Sequence, residues 1–251
     1  MTSFDIEKMA SLSDAAPRPE GDPAEPCRAC SVRHLTVCAP LADDELREIS
    51  QISSTLELAP GEPVFDEGEP ANAVFNVTAG TLRVYKLLAD GRRQVIGFLF
   101  AGDFVGLANN ETYAYSADAV TTAALCRFPR NRLENLLSRH PKMQTRLLSV
   151  ASHELGVAQE QMLVLGRKTA KEKIATFLLN LSRRAETRAQ VSNPVHVPMS
   201  RTDIGDYLGL TTETVSRTFT QLRNKGLIQL QSGGKVALAD TEALEAISEG
   251  A

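Results

Sequence analysis

Three of the four cysteines in the chain lie within one stretch of fifteen residues, PCRACSVRHLTVCAP, at positions 26–40. They are Cys27, Cys30 and Cys38, and the fourth, Cys126, lies far downstream. Clustered thiols of this kind can hold a metal, close a disulfide or carry redox chemistry. A reducing cytoplasm disfavours structural disulfides, so in that compartment the cluster favours a metal site or redox chemistry.

The residue types leave more than one chemistry open. Four thiolates are what a cubane iron–sulfur cluster needs, but four can also close a tetrahedral zinc site, with His34 as a possible substitute ligand. Cys27 and Cys30 could instead form the dithiol pair of a redox enzyme. The context does not favour the enzyme, because no βαβ pattern follows CRAC and no Ser-His-Asp, phosphate-loop or zinc-hydrolase motif is found in the sequence.

Length and composition set the frame for these residues. A chain of 251 residues with 43% apolar and 5% aromatic residues can form two compact domains. No apolar run approaches the roughly 20 residues that span a bilayer, and the start, MTSFDIEKMASLSDAAP, does not resemble a signal peptide. We expect a cytoplasmic protein without a membrane partner. Its Pro- and acid-rich residues 1–26 should form a disordered tail.

Charge divides the chain into two parts. Residues 1–165 carry 15 Lys and Arg against 22 Asp and Glu, whereas residues 166–235 carry 12 against 5. The overall charge of −4 thus hides an acidic part and a basic part. This asymmetry predicts a basic module that faces a polyanion, joined to an acidic module that does not.

The acidic part has the pattern of a β-domain. Between Leu56 and Phe128, short apolar runs such as VFNV, TLRVYKLL and QVIGFLF are separated by glycines. This spacing predicts an antiparallel sandwich or roll, and the chain becomes helical after Pro129.

A heptad pattern follows the β-domain. Apolar residues recur at alternating steps of three and four at Leu148, Ala151, Leu155, Ala158, Met162 and Leu165. Such a seam predicts a parallel dimer, with residues 136–166 as the dimerisation helix. The alternative is a single helix that packs this stripe on its own domain.

The basic part has the pattern of a winged helix-turn-helix. Ser200 is a plausible cap for a short helix, Gly209 provides the turn, and Thr211 or Thr212 caps a second helix that runs to about Lys225. Two short strands around Ser232-Gly233-Gly234 would form the wing.

The second of these helices has two distinct faces. Val215, Phe219 and Leu222 share one, so the helix can be held by its apolar side. The opposite face presents groups that can bond base edges or phosphates in the major groove. We expect the DNA-binding side chains to be Thr212, Glu213, Ser216, Arg217 and Thr220.

From about residue 27 to residue 238, this arrangement resembles the Crp-Fnr superfamily of bacterial transcription regulators. The spacing of Glu213, Ser216 and Arg217 resembles the Fnr branch, which implies readout of a TTGAT-type half-site by a two-fold dimer. The implied fold is α+β. It comprises a cysteine segment and β-roll at 27–135, a dimerisation helix at 136–166 and a winged helix-turn-helix domain at 167–251.

The resemblance also bears on the cysteines. Fnr-type oxygen sensors bind a [4Fe-4S] cluster through clustered N-terminal cysteines and one distant cysteine, which implies Cys27, Cys30, Cys38 and Cys126 as ligands here. The C-x2-C-x7-C spacing is wider than the C-x2-C-x5-C of enteric members.

A cyclic nucleotide is not expected in the β-roll. The positions that grip the phosphate in the receptor branch hold Gly102-Asp103 and Tyr115-Ser116 here, so the phosphate-binding arginine is absent.

Two further expectations follow from the family. RNA polymerase would contact the hairpin at Asp90, Gly91 and Arg92, although an exposed turn would have the same sequence. Ala158 stands where several relatives carry an acidic residue that opposes pairing of the apo protein. We therefore expect the apo form to pair more readily and oxygen to act on DNA-domain orientation instead.

Overall fold

The computed structural model describes residues 24–107 and 111–250. The predicted disordered tail lies almost wholly outside this range, because residues 1–23 are not among those described. Within the range, Ala24 is fully buried and the first helix, α1, spans Glu25–Arg28. The described chain is therefore already packed three residues before Cys27.

The β-domain is a roll of two four-stranded antiparallel sheets, as predicted. A short 3₁₀ helix, Arg33–Leu35, and helix α2, Leu46–Ile52, precede it. Its strands are β1 Ser54–Leu58, β2 Pro63–Phe65, β3 Ala73–Ala79, β4 Thr81–Leu87, β5 Arg93–Phe100, β6 Phe104–Val105, β7 Ser116–Ala119 and β8 Ala123–Pro129. The sheets have the orders β1-β8-β3-β6 and β2-β7-β4-β5.

Strand β3 separates two cores, which explains why its sequence, AVFNVTA, does not alternate apolar and polar residues. Phe75 and Val77 belong to the core between the two sheets. Val74 belongs to a second core, which also contains Val37 and Leu41 of the cysteine segment, residues 27–41. The first sheet therefore forms one wall of the cysteine segment's core.

Two helices follow β8, α3 at Arg130–Arg139 and α4 at Pro141–Arg167. The sequence predicts one helix over 136–166, but the chain breaks at His140, where φ is −122° and ψ is 81°. Pro141 begins α4 because proline has no N–H to donate and is tolerated in the first turn. The 27 residues of α4 span roughly 40 Å.

The C-terminal domain has the predicted winged helix-turn-helix architecture. Its elements are α5 Ala170–Thr187, β9 Val195–His196, α6 Arg201–Leu208, α7 Thr212–Asn224, β10 Ile228–Gln231, β11 Lys235–Leu238 and α8 Thr241–Glu249. The hairpin β10–β11 pairs with β9 in a three-stranded sheet. Among the described residues, no helix is long and apolar enough to cross a membrane.

Two side-chain caps and one glycine set the angle between α6 and α7. The Ser200 hydroxyl accepts from the backbone N–H of Asp203 at 3.0 Å and caps α6, and Thr211 caps α7 through the N–H of Thr214 at 3.1 Å. Gly209 has a φ of 63°, which other residues rarely adopt. The predicted caps and turn are confirmed, with Thr211 rather than Thr212 as the second cap.

Gly205 tests how closely the two helices must approach. A Cβ at this position would lie 2.6 Å from the carbonyl oxygen of Leu210. We expect Gly205→Ala to lower the free energy of unfolding by about 1–3 kcal/mol, measured by urea denaturation. In the matched control Gly166→Ala, the new Cβ meets nothing within 4 Å, so stability should hold or rise. Equal stability of the two variants would contradict this account.

Candidate functional site

The fold brings the cysteine segment to the sheet that carries Cys126. Cys27 lies in α1, Cys30 lies in the loop that follows it, Cys38 lies in a turn, and Cys126 lies in β8 directly opposite Asn76 of β3. None of the four cysteines is joined in a disulfide. Cys27, Cys38 and Cys126 all pack against the same apolar core.

Cys38 is the centre of this group. Burial is the main cause that raises the pKa of its thiol to about 12. The nearby thiols of Cys126, Cys27 and Cys30 also raise this pKa, whereas a hydrogen bond with Thr36 lowers it. The other three thiols are thus close enough to Cys38 to interact with it electrostatically. Without a bound cation the pocket favours the protonated thiol, so a metal centre must replace that proton.

Four thiols are the donor set that a cubane iron–sulfur cluster requires. Among the described residues, no three His, Cys, Asp or Glu side chains are arranged to hold one metal ion. A tetrahedral zinc site needs its four ligands around one point, whereas in a cubane each thiolate binds a different iron. His34, the possible substitute ligand, is exposed on the 3₁₀ helix.

Asn76 adds a buried polar group to the cysteine pocket. The residue is 2% exposed, and its Nδ2 donates to the Cys38 sulfur at 3.8 Å. Its Oδ1 is buried without a hydrogen-bond partner. Since N–H groups directed at cluster sulfurs help to set a cluster's reduction potential, Asn76 suits the neighbourhood of such a group. Sequence reasoning missed Asn76 because it sits in an apolar strand, 38 residues from Cys38.

Arginines hold the cysteine segment in place. Arg33 donates to the Leu41 carbonyl at 2.9 Å, within the segment. Arg146 reaches from α4 and donates to the carbonyls of Leu35 at 2.6 Å and Thr36 at 3.3 Å. The segment is therefore bonded directly to the long helix.

The predicted seam of α4 is uncovered in the protomer. Leu148, Leu155 and Met162 are 68%, 60% and 68% exposed. Ala158 is also exposed, Ala151 is half-buried and Leu165 is 36% exposed. The alternative interpretation, in which the stripe packs on its own domain, is therefore wrong for most of the seam. Sequence reasoning missed Leu163, which is 65% exposed beside it.

Helix α7 has the two predicted faces. Val215, Phe219 and Leu222 are buried, so the helix is fixed by its apolar side. The outward face is exposed to solvent and carries Thr212, Glu213, Ser216, Arg217 and Thr220. From α6, the Arg201 guanidinium lies 3.4 Å from the centre of the Phe219 ring, which braces the start of one helix on the other.

The helix-turn-helix is docked on the β-roll by buried charges. Asp203 of α6 accepts from Arg83 at 2.5 Å and from Arg93 at 2.6 Å. Arg83 also pairs with Asp118, and Arg93 with Asp206 at 2.7 Å. The three pairs that reach α6 join residues more than 100 positions apart, so the sequence alone did not reveal them.

The positions that hold a cyclic nucleotide in the receptor branch are occupied by internal bonds. Asp103 accepts from Arg184 and Arg188 of α5, and both guanidinium groups lie over the Phe100 ring. The Ser116 hydroxyl accepts from the backbone N–H of Glu67 at 2.9 Å. The roll thus uses these groups as scaffold and as a second contact with the C-terminal domain.

The hairpin between β4 and β5 forms an exposed turn. Gly91 has a φ of 84°, and Asp90 pairs with Arg92 at 2.8 Å. Leu87 and Leu88 beside it are 59% and 47% exposed. The predicted polymerase-contact residues therefore lie on an accessible surface with apolar neighbours.

Comparison with known proteins agrees with this architecture. The Crp-like helix-turn-helix domain model matches residues 172–247, and the cyclic nucleotide-binding domain model matches residues 55–140. The chain is 40% identical over 222 residues to the nitrogen fixation regulation protein FixK of Bradyrhizobium diazoefficiens, covering 88% of this chain and 93% of that protein.

Two further proteins extend the comparison. The chain is 38% identical over 218 residues to the transcriptional activator protein FnrL of Cereibacter sphaeroides, covering 85% and 88% of the two chains. The solved structure of FixK2 from Bradyrhizobium japonicum superposes with a TM-score of 0.74 at 36% identity, covering 80% of this chain and 99% of that one.

Asp203 provides a test of the docked arrangement. Burial alone would raise the pKa of its carboxyl group, but Ser200, Arg83 and Arg93 hold this pKa below its ordinary value. Its stabilising contribution is therefore present above the unfolded pKa of about 3.9 and is lost as the pH falls through the lower folded value.

We expect Asp203→Asn to lower the free energy of unfolding by about 3 kcal/mol at pH 7, measured by urea denaturation. The difference from the wild type should shrink only in acid. In the control Asp90→Asn, which removes an exposed ion pair, the change should stay below about 1 kcal/mol. Equal effects of the two substitutions would mean that the Asp203 pairs contribute no more than surface charges.

Proposed function

Because this chain belongs to the Crp-Fnr family of transcription regulators, we propose that it is an oxygen-responsive member with one [4Fe-4S] cluster per chain. Its relatives and its fold are those of DNA-binding transcriptional activators and not of enzymes. The dithiol redox enzyme considered from the sequence is therefore excluded. The observation that carries the proposal is the gathering of three cysteines around the buried thiol of Cys38.

Cys27, Cys30, Cys38 and Cys126 would hold the cluster. Burial keeps the Cys38 thiol protonated, so cluster assembly would have to displace that proton. Asn76 supports this role by directing an N–H at the Cys38 sulfur. When bound, such a cluster supplies a centre that oxygen can attack where it lies near the surface.

The ligand bonds would tie the N-terminal segment to the roll. Cys27, Cys30 and Cys38 lie in one segment, and Cys126 lies in β8, so a four-cysteine centre joins the segment to the first sheet. Leu147 and Val150 of α4 pack against the same core. Release of the four thiolates therefore frees the packing under one face of α4.

The opposite face of α4 would pair with a second copy of the chain. The exposed seam from Leu148 to Leu165 gives this pairing its apolar surface. Two copies would place their α7 helices on two half-sites about 34 Å apart, and the dimer would read an inverted TTGAT-type repeat. Since one half-site alone gives weak binding, loss of pairing lowers operator occupancy.

A second route to the same output is supported by the ion pairs between the domains. Ala158 brings no charge to the seam, so the apo chain can pair without like-charge repulsion. In that case the signal would act on the orientation of α7, through the roll that holds Asp203 by Arg83 and Arg93. Such a regulator would remain a dimer without its cluster, but its two α7 helices would lose the spacing that operator binding needs.

RNA polymerase is proposed as the partner of the hairpin at Asp90, Gly91 and Arg92. Its position at the tip of two paired strands, with Leu87 and Leu88 exposed beside it, supports a protein contact. The hairpin residues are different from the DNA-binding residues proposed on α7, so one chain would use different side chains for DNA and for polymerase.

The central test is anaerobic purification of the full chain, followed by visible absorption and iron and sulfide analysis before and after exposure to air. We expect about four iron and four sulfide per chain. Air should bleach the absorption and reduce binding to an inverted TTGAT repeat. Cys126→Ser should lose the iron, whereas Asp90→Asn, remote from the cysteines, should retain it.

Two results would contradict the proposal. Colourless protein that binds the operator would leave a family member controlled by another signal. One zinc per chain in place of iron would leave a zinc-controlled regulator. Either result would keep the transcription factor and remove the oxygen sensor.

Arg217 tests the reading face. Arginine donates to a guanine edge or to a phosphate, so Arg217→Ala should weaken operator binding by about 1–3 kcal/mol, measured by fluorescence anisotropy on loaded protein. Because Arg217 is exposed, thermal stability should not change. Glu242→Gln on α8 is the control and should bind as the wild type does. Unaltered affinity of the Arg217 variant would exclude it from the interface.

A further inference from the structure

We infer that Arg146 is the positioning residue that transmits the state of the cysteine segment to the dimerisation helix. This inference rests on the proposed function and adds the physical connection between its two halves. Arg146 belongs to α4, yet its guanidinium donates to two backbone carbonyls of the cysteine segment, 110 and 111 residues earlier. The bond from Nη2 to the Leu35 oxygen measures 2.6 Å, and that from Nε to the Thr36 oxygen 3.3 Å.

These carbonyls lie at the end of a short helix. The 3₁₀ helix ends at Leu35, and Thr36 is its C-cap with an extended backbone. Carbonyls at a helix C-terminus lack partners within the helix and carry partial negative charge. A guanidinium suits this position because it offers several donors in a fixed plane.

Thr36 connects Arg146 to a cluster ligand. Its backbone oxygen accepts from Arg146, and its hydroxyl accepts from the backbone N–H of Cys38 at 3.2 Å and donates to the Arg33 oxygen at 3.0 Å. Thr36 is 2% exposed, so these bonds are shielded from water. Two hydrogen bonds and one residue therefore separate the Cys38 backbone from α4.

Arg146 and the dimer seam lie on opposite sides of α4. Leu148 lies two positions after Arg146, which is about 200° around an α-helix. Leu147 and Val150 pack on the cysteine core, and such apolar contacts are not directional. The Arg146 bonds are directional, so they fix the rotation of α4 that presents Leu148 outward.

The test measures monomer–dimer dissociation constants by sedimentation, with and without the cluster. In the wild type, loading should tighten pairing by about tenfold. Arg146→Leu should assemble its cluster with unchanged iron content and visible absorption, but loading should change its pairing by less than about twofold. Arg146→Lys retains a single donor group and should recover part of the response.

Arg139→Leu is the matched control. Arg139 lies on α3 and pairs with Glu48 at 2.6 Å on the surface, so its loss removes an arginine without touching the Leu35 and Thr36 carbonyls. This variant should respond as the wild type does. If Arg146→Leu fails to fold, Arg146→Lys is compared with Arg139→Lys. The response of pairing to cluster loading should then fall only in Arg146→Lys.

The outcomes separate the two claims. A loaded Arg146→Leu protein that pairs as tightly as the loaded wild type overturns the role of Arg146 and leaves the oxygen sensor intact. Loss of iron from Arg146→Leu also overturns it, because the residue would then support the cysteine site itself. Wild-type protein without iron overturns both proposals.

Discussion

The two sides of helix α4 impose the main constraint on this molecule. One side covers the core that holds the cysteine segment, through Met143, Leu147 and Val150. The other side presents leucines and a methionine to solvent. Because a helix is stiff over a few turns, packing on the first side and pairing on the second cannot be adjusted independently. A shift of the cysteine segment therefore also changes how α4 presents the seam.

Charge has a different role in the structure from the one suggested by the sequence. The acidic and basic parts form ion pairs with each other at their boundary. Arg83 and Arg93 of the roll bind acids of α6, while Arg184 and Arg188 of α5 bind Asp103 of the roll. Part of the basic charge counted in the C-terminal domain is therefore internal. Arg217 and Arg223 of α7 and Lys225 directly after it remain exposed.

Features encoded locally could be predicted from the sequence. Ser200, Gly209 and Thr211 act on their immediate neighbours, so the helix-turn-helix and its exposed face were predictable. The break at His140 was missed because the apolar pattern continues across it. Arg146, Asn76 and Asp203 were missed because their partners lie 38 to 120 residues away and no periodic pattern marks them.

The uncovered seam of α4 also has a consequence for the cell. If two copies must meet before an operator with two half-sites is filled, occupancy at low protein levels rises with the square of the protein concentration. The amount of protein made then sets the threshold at which target genes respond. A modest change in its synthesis or degradation would shift that threshold without any change in the protein itself.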